Sequence, residues 1–418
     1  MRKSHIALVA CTLTFPGVSN SQEKILWPNE GHFIAYPLEQ AVDNVQVSAS
    51  AGVTRDNNVF RLSDNEDPLA ILGESSKSDT ISRVGVGIKA IKPVSRQRFI
   101  FDANADRHSF NRFSFLDHWS YNLGADWKWA AGNLWSGDLG YSRRKRLADL
   151  AEIQGRVKDL ITQDHAHFLA NYKFHPSWRV RGGLDGQRFE HSESSREALD
   201  NRMVSATIGA DYITSASNTL GLQFKATQGR YPNKEVVASA FIDNRYKEYE
   251  TSAVIGWQFA GKTRLDGRLG YTKREHDEFS ARDFSGATGR ATLQHKPSAK
   301  TLVDLSAYRE PRIVEDLTAT YVLAKGVSFG PAWAPTVKSV LQAKLAYENR
   351  EYLGDPGIVL GVTSTREDKV RLGRIIAGYK PLRNAELTLA YERGKRTSNL
   401  ANVDYDYDLV SANGEWNF

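Results

Sequence analysis

The 418-residue chain has one cysteine, Cys11, only two methionines, and no apolar run of about 18 residues. A lone cysteine at the start leaves the remainder without a disulfide framework, a Cys nucleophile or a Cys-ligated zinc. Without a long apolar run there is no helical membrane span, and the mean hydropathy of −0.47 agrees. No Pro/Ser/Gly-rich linker divides the chain after about residue 45, so although the length would suit two or three soluble domains, a single domain is expected. Disorder is excluded by the hydrophobic share of 41% and the aromatic share of 11%.

What the chain does have is alternation. At its end Val410, Ala412, Gly414, Trp416 and Phe418 fall on one face, and Ser411, Asn413, Glu415 and Asn417 on the other. Segments of the same kind recur about every 20 residues, the signature of a transmembrane β-barrel. Tyr121, Leu123, Ala125, Trp127 and Trp129 form one apolar face, and Leu265, Gly267, Leu269 and Tyr271 another. The connections sort into two kinds. Tight ones, such as Lys92-Pro93-Val94-Ser95, Ala130-Ala131-Gly132-Asn133 and Gly261-Lys262, alternate with long charged ones such as 55–79, 143–160, 229–246 and 348–367. The pattern predicts an all-β fold, an antiparallel up-and-down barrel over 44–418. About 18 strands are expected, or roughly 16 if 282–294 or 316–330 is misread, and an even count puts both termini in the periplasm. The first strand, 45–54, should pair with the last, 405–418, and Trp127, Trp129 and Trp135 should join an aromatic girdle.

Met1-Arg2-Lys3 followed by Ile6-Ala7-Leu8-Val9-Ala10 reads as a signal peptide over 1–21, cleaved after Ser19 or Ser21, with 22–43 a periplasmic lead-in. Leu8-Val9-Ala10-Cys11 also fits a lipobox, which would make Cys11 a lipidated first residue. Together these features imply the bacterial outer membrane. A C-terminal aromatic on an alternating strand resembles the assembly signal of such barrels, implying that the insertion machinery recognises the Phe418 strand.

If the aromatic face meets lipid, the opposite parity lines the lumen: Asp126, Lys128, Arg179, Arg181, Lys225, Arg264, Asp266, Arg268, Arg290, Lys344 and Arg371, with Lys369 beside it. Basic members predominate, and the chain carries a formal net charge of +6. Such a lumen would concentrate an anionic solute or polymer. Equally, Arg and Asp could pair across the wall and only stiffen it. Tyr308, on the inward parity, could offer sugar rings a stacking surface.

Other motifs lead to bland readings. Arg143-Arg144-Lys145-Arg146 lies where lipopolysaccharide phosphates would be within reach, or is a solvated charge run. His165-x-His167 has a metal-compatible spacing but no third ligand identifiable from sequence, and Asp64-Asn65-Glu66-Asp67 lacks the spacing of a calcium loop. Hence no metal site, cofactor or catalytic residue is expected. Gly256 to Thr263 matches the P-loop letters, and Gly85-x-Gly87-x-x-Ala90 those of a dinucleotide fingerprint, but both fall in strand patterns where no helix begins. Scattered basic residues without a binding module argue against nucleic acid.

The stretch Val47-Ser48-Ala49-Ser50-Ala51-Gly52-Val53-Thr54-Arg55-Asp56-Asn57-Asn58-Val59-Phe60-Arg61-Leu62 resembles the opening of the EpsL-type outer-membrane barrels encoded with exopolysaccharide operons. That resemblance implies a porin-like conduit exporting an exopolysaccharide, with a periplasmic export complex as a further partner. A solute-uptake porin is the alternative, distinguished by a loop folded into the lumen as a constriction. A barrel lipase or protease is the third.

Overall fold

The structure is a computed structural model describing residues 44–418 apart from 154, 234, 238, 239, 243, 244, 279, 314–320 and 354–364. The signal peptide, Cys11 and the lead-in lie outside the described residues.

Among the described residues the alternating segments become strands. In chain order the strands are β1 (Asn44–Asp56), β2 (Asp79–Val94), β3 (Gln97–Phe110), β4 (His118–Ala131), β5 (Trp135–Leu147), β6 (Leu160–His175), β7 (Trp178–His191), β8 (Asn201–Ile213) and β9 (Thr219–Arg230). After them come β10 (Glu235–Val237), β11 (Ala240–Ile242), β12 (Tyr246–Phe259), β13 (Thr263–His276), β14 (Phe284–Ser298), β15 (Thr301–Arg312), β16 (Tyr321–Thr336), β17 (Ser339–Leu353), β18 (Glu367–Leu382), β19 (Ala385–Ser398) and β20 (Tyr405–Asn417). β10 and β11 form a small hairpin of their own, and the other 18 strands make one sheet. Each strand pairs antiparallel with its chain neighbours, β9 pairs with β12, and β1 pairs with β20 from Ser48↔Asn417 to Asp56↔Leu409. The Phe418 N–H donates to the Val47 carbonyl at 2.8 Å, so the barrel closes as expected. Of the two doubtful segments, 284–294 lies in β14 and 321–330 in β16, while 316–320 lie outside the described residues.

The exterior is apolar. Val84, Val86, Leu222, Leu269 and Leu389 turn outward with most of their surface exposed, which suits hydrocarbon and would be a liability in water. Near the short turns Phe99 stacks on Trp127, Trp129 on Phe168 and Trp135 on Tyr172, forming the expected girdle. Eight tight turns lie on this rim, from 95–96 to 383–384. The turn 260–262 uses Gly261 at φ +71°, a left-handed conformation that favours glycine. Residues 256–263 therefore run strand, turn, strand, and Gly85 and Gly87 lie inside β2, so neither phosphate motif has its helix.

The main apolar cluster is inside the barrel mouth at the other rim. Val59, Phe60, Leu62 and Leu72 from the 57–78 connection, Phe113 and Leu116 from 111–117, and Ala148, Leu150 and Ile153 from 148–159 pack on inward Phe110, Ile161 and Phe189. Burying each large side chain contributes about 1.5–3 kcal/mol, so these three connections fold inward instead of standing in water. Helix α1 (Pro68–Leu72) helps fix the first, capped by Asp67, which accepts from the Leu69 N–H.

Candidate functional site: a strapped lumen

The 148–159 connection starts as a closed loop. The Ala148 N–H donates to the Asp159 carbonyl at 2.9 Å, and Asp149 caps a 3-10 turn over Leu150–Glu152 by accepting from the Ala151 N–H. Asp159 is buried at its base, 2.6 Å from His191 Nδ1, and accepts from Arg196 and from the Ser192 and Glu193 N–H groups. Burial by itself would raise this carboxyl, but His191 and Arg196 outweigh it and hold it below the ordinary carboxylate range.

From that base Glu152 reaches the far wall. Arg396 Nη1 on β19 donates to its Oε1 at 2.6 Å, and Arg366, just before β18, donates to Oε2 at 3.4 Å. Asp368 completes the cluster, 2.6 Å from Arg366, while Arg366 lies 3.9 Å over the Tyr352 ring. Around the barrel β20 and β1 to β4 separate β19 from β5, so the connection is a strap across the mouth.

Below the strap, many of the inward charges are paired. Arg179 and Arg181 both hold Asp211, at 2.6 and 3.2 Å. Arg264 holds Asp266, Arg268 donates to Glu250 and Glu310, and Arg290 also holds Glu310. Glu348, fully buried, joins Arg312 at 2.8 Å and Arg350 at 2.6 Å. At Glu310 and Glu348 the acid is the deeper member: side-chain exposure is 37% for Arg290 against 6% for Glu310, and 13% for Arg350 against 0% for Glu348. At Glu310 the surface offered to a solute is the Arg290 guanidinium, whereas Arg312 and Arg350 on Glu348 are themselves largely buried. Lys344 and Arg374 stand directly opposite each other across β17 and β18, as Arg268 and Arg290 do across β13 and β14. Like charges so placed cost energy unless an anion lies between them, which Glu310 supplies for the second pair. Lys225 faces inward in register with Glu250 without an ion pair among the described residues, and Lys128 and Asp126 are inward on β4.

Arg371 needs correction, and Lys369 with it. Arg371 pairs in register with Tyr347, whose ring is on the lipid side, so both basic side chains point outward. The inward neighbours at that level are Val370 and Leu372, packed with Ala346 and Tyr407. Above the hydrocarbon band an outward charge meets headgroups, so charge ceases to mark the lumen. Tyr308 is inward, but its hydroxyl donates to Glu348 and Arg290 and Arg312 cover its ring at 4.6 and 4.3 Å, leaving no free stacking face. Lys77 takes Asp64, and Glu66 and Asp67 accept from backbone N–H groups, which accounts for the acidic run 64–67. Arg143 and Lys145 point outward while Arg144 and Arg146 point inward, as their places in β5 require.

Residues 247–416, spanning β12 to β20, match the family described as "Putative beta-barrel porin 2". The chain is an outer-membrane β-barrel. Its lipid-facing exterior and closed 18-stranded sheet require that setting. No curated protein matches it. Among solved structures the barrel is similar to OpdK of Pseudomonas aeruginosa, solved with vanillate (11% identity, 90% of this chain and 100% of that one, TM-score 0.47). It is also similar to OccK2 (OpdF) of the same organism in complex with glucuronate (8% identity, 90% and 98%, TM-score 0.47). A BenF-like porin of Pseudomonas fluorescens Pf-5 matches at 9% identity over 91% and 100%, with TM-score 0.48.

Proposed function

We propose that the barrel admits small anionic solutes through a constricted, arginine-faced path, acting as an uptake porin. One observation carries this reading: the 148–159 strap crosses the mouth and is tied to Arg366 and Arg396 by Glu152. A polysaccharide in transit needs a bore clear from end to end, so the strap weighs against the export role that the EpsL-type resemblance implies. The part-exposed Arg290 guanidinium over buried Glu310 favours anions, drawing them in without holding them in a deep well. Outward Arg143, Lys145, Lys369, Arg371 and Lys395 suit lipopolysaccharide phosphates, and the Phe418 strand suits the insertion machinery.

Planar-bilayer recording with the refolded barrel tests the reading. Reversal potentials in a salt gradient should show preference for chloride over potassium, and proteoliposome swelling should pass a monocarboxylate while excluding long oligosaccharides. Cation preference, or free passage of the oligosaccharides, would overturn it.

A further inference from the structure

Asp126 on β4, Asp138 on β5 and His167 on β6 converge on the lumen side of three neighbouring strands. His167 Nε2 lies 2.5 Å from Asp138 Oδ1 and 3.7 Å from Asp126 Oδ1, and the three donor atoms all fall within 4.8 Å of one another. Asp126, Gly140 and His167 share one register row, Asp126↔Gly140 and Gly140↔His167. A Cβ at Gly140 would come 2.3 Å from Asp126 Oδ1 and 2.3 Å from His167 Cε1, so the two side chains meet in space that only glycine leaves. His165 stacks 5.4 Å from His167 and is 2.5 Å from Asp185. Asp102, held by Asn122, lies on the neighbouring β3, and Lys128, in register with Asp138, is the cation facing the group on its own strand. Carboxylates therefore outnumber fixed cations here, in contrast to the arginine wall opposite.

We infer that Asp126, Asp138 and His167 form a lumen-wall site for a divalent first-row transition-metal cation. Metal–ligand bonds of about 2.0–2.2 Å put ligand atoms roughly 3–3.6 Å apart, within the span these donors already bracket. One imidazole with two carboxylates suits zinc, cobalt or nickel and leaves a coordination position for water or a passing ligand. The site is independent of the anion path, since it lies on β4 to β6.

Titrating the metal-stripped, refolded barrel with Co²⁺ alone tests this. One equivalent should bind and produce visible d–d absorption, and His167→Ala should weaken binding by at least about 100-fold, more than an outer-shell change would. Absence of the band, or unchanged affinity in His167→Ala, would overturn the assignment and leave a hydrogen-bonded His–Asp pair. If His167→Ala does not give a heat-modifiable barrel, Asp126→Asn decides, because it keeps the His167–Asp138 contact. Loss of cobalt binding there supports the site, and retention overturns it.

Discussion

Glu152→Gln should open the strap without unfolding the barrel. The Glu152 carboxylate is nearly buried between Arg366 and Arg396, and Gln can neither neutralise them nor accept from both so strongly. Removing one member of a buried ion cluster costs about 3–5 kcal/mol, because the remaining charges stay desolvated. Asp368 still holds Arg366 at 2.6 Å and lies 3.8 Å from Arg396, so the low end applies, about 3 kcal/mol. That raises the released population of the strap on the order of 100-fold, while Leu150 and Ile153 keep its base seated. No strand pairing involves Glu152, so heat-modifiable migration should match the parent. Single-channel recording should show larger or noisier conductance, and swelling should admit larger solutes. Parental conductance with a parental size limit would refute the strap as the constriction.

Asp211→Asn should destabilise the wall by about 3–5 kcal/mol, since Arg179 and Arg181 would lose their shared, buried partner; a urea midpoint equal to that of the parent would show the pairing is idle. Asp159 sets a pH dependence. Its folded pKa lies below the unfolded value, so the contribution is complete above about pH 3.9 and is lost as pH falls through the folded value. Protease protection of 148–159 should therefore fade only in acid, and Asp159→Asn should remove that dependence; protection unchanged throughout would count against the lock. Trp127, Trp129 and Trp135 should be quenched by brominated lipids, and Phe replacements at these positions should reduce the quenching; full protection from such lipids would reverse the assigned faces.

The wall was readable because a strand with one face in lipid must alternate, and Tyr121 to Trp129 or Leu265 to Tyr271 do so without exception. Register follows from that parity, which is why Arg179, Arg264 and Arg290 were placed inward. Parity failed at Arg371, where the outward side meets headgroups and the inward side carries Val370 and Leu372. The strap was illegible for another reason: Glu152 and Arg396 are separated by 244 residues, and nothing local in either marks the other. The Asp126, Asp138 and His167 group has the same cause, three strands each contributing a donor, with Gly140 as the one hint of close approach.

The seam between β1 and β20 is hydrogen-bonded like every other joint, and it brings the first and last strand ends to the rim that carries the eight tight turns. Geometrically the wall has no beginning. A circular permutant, with residues 44 and 418 joined by a short linker and new ends opened at 260–262, would keep every strand pairing while moving Phe418 into the interior of the chain. The wall's architecture is thus a property of the strand pairings and not of where the chain starts and stops, and the permutant is the form in which the two come apart.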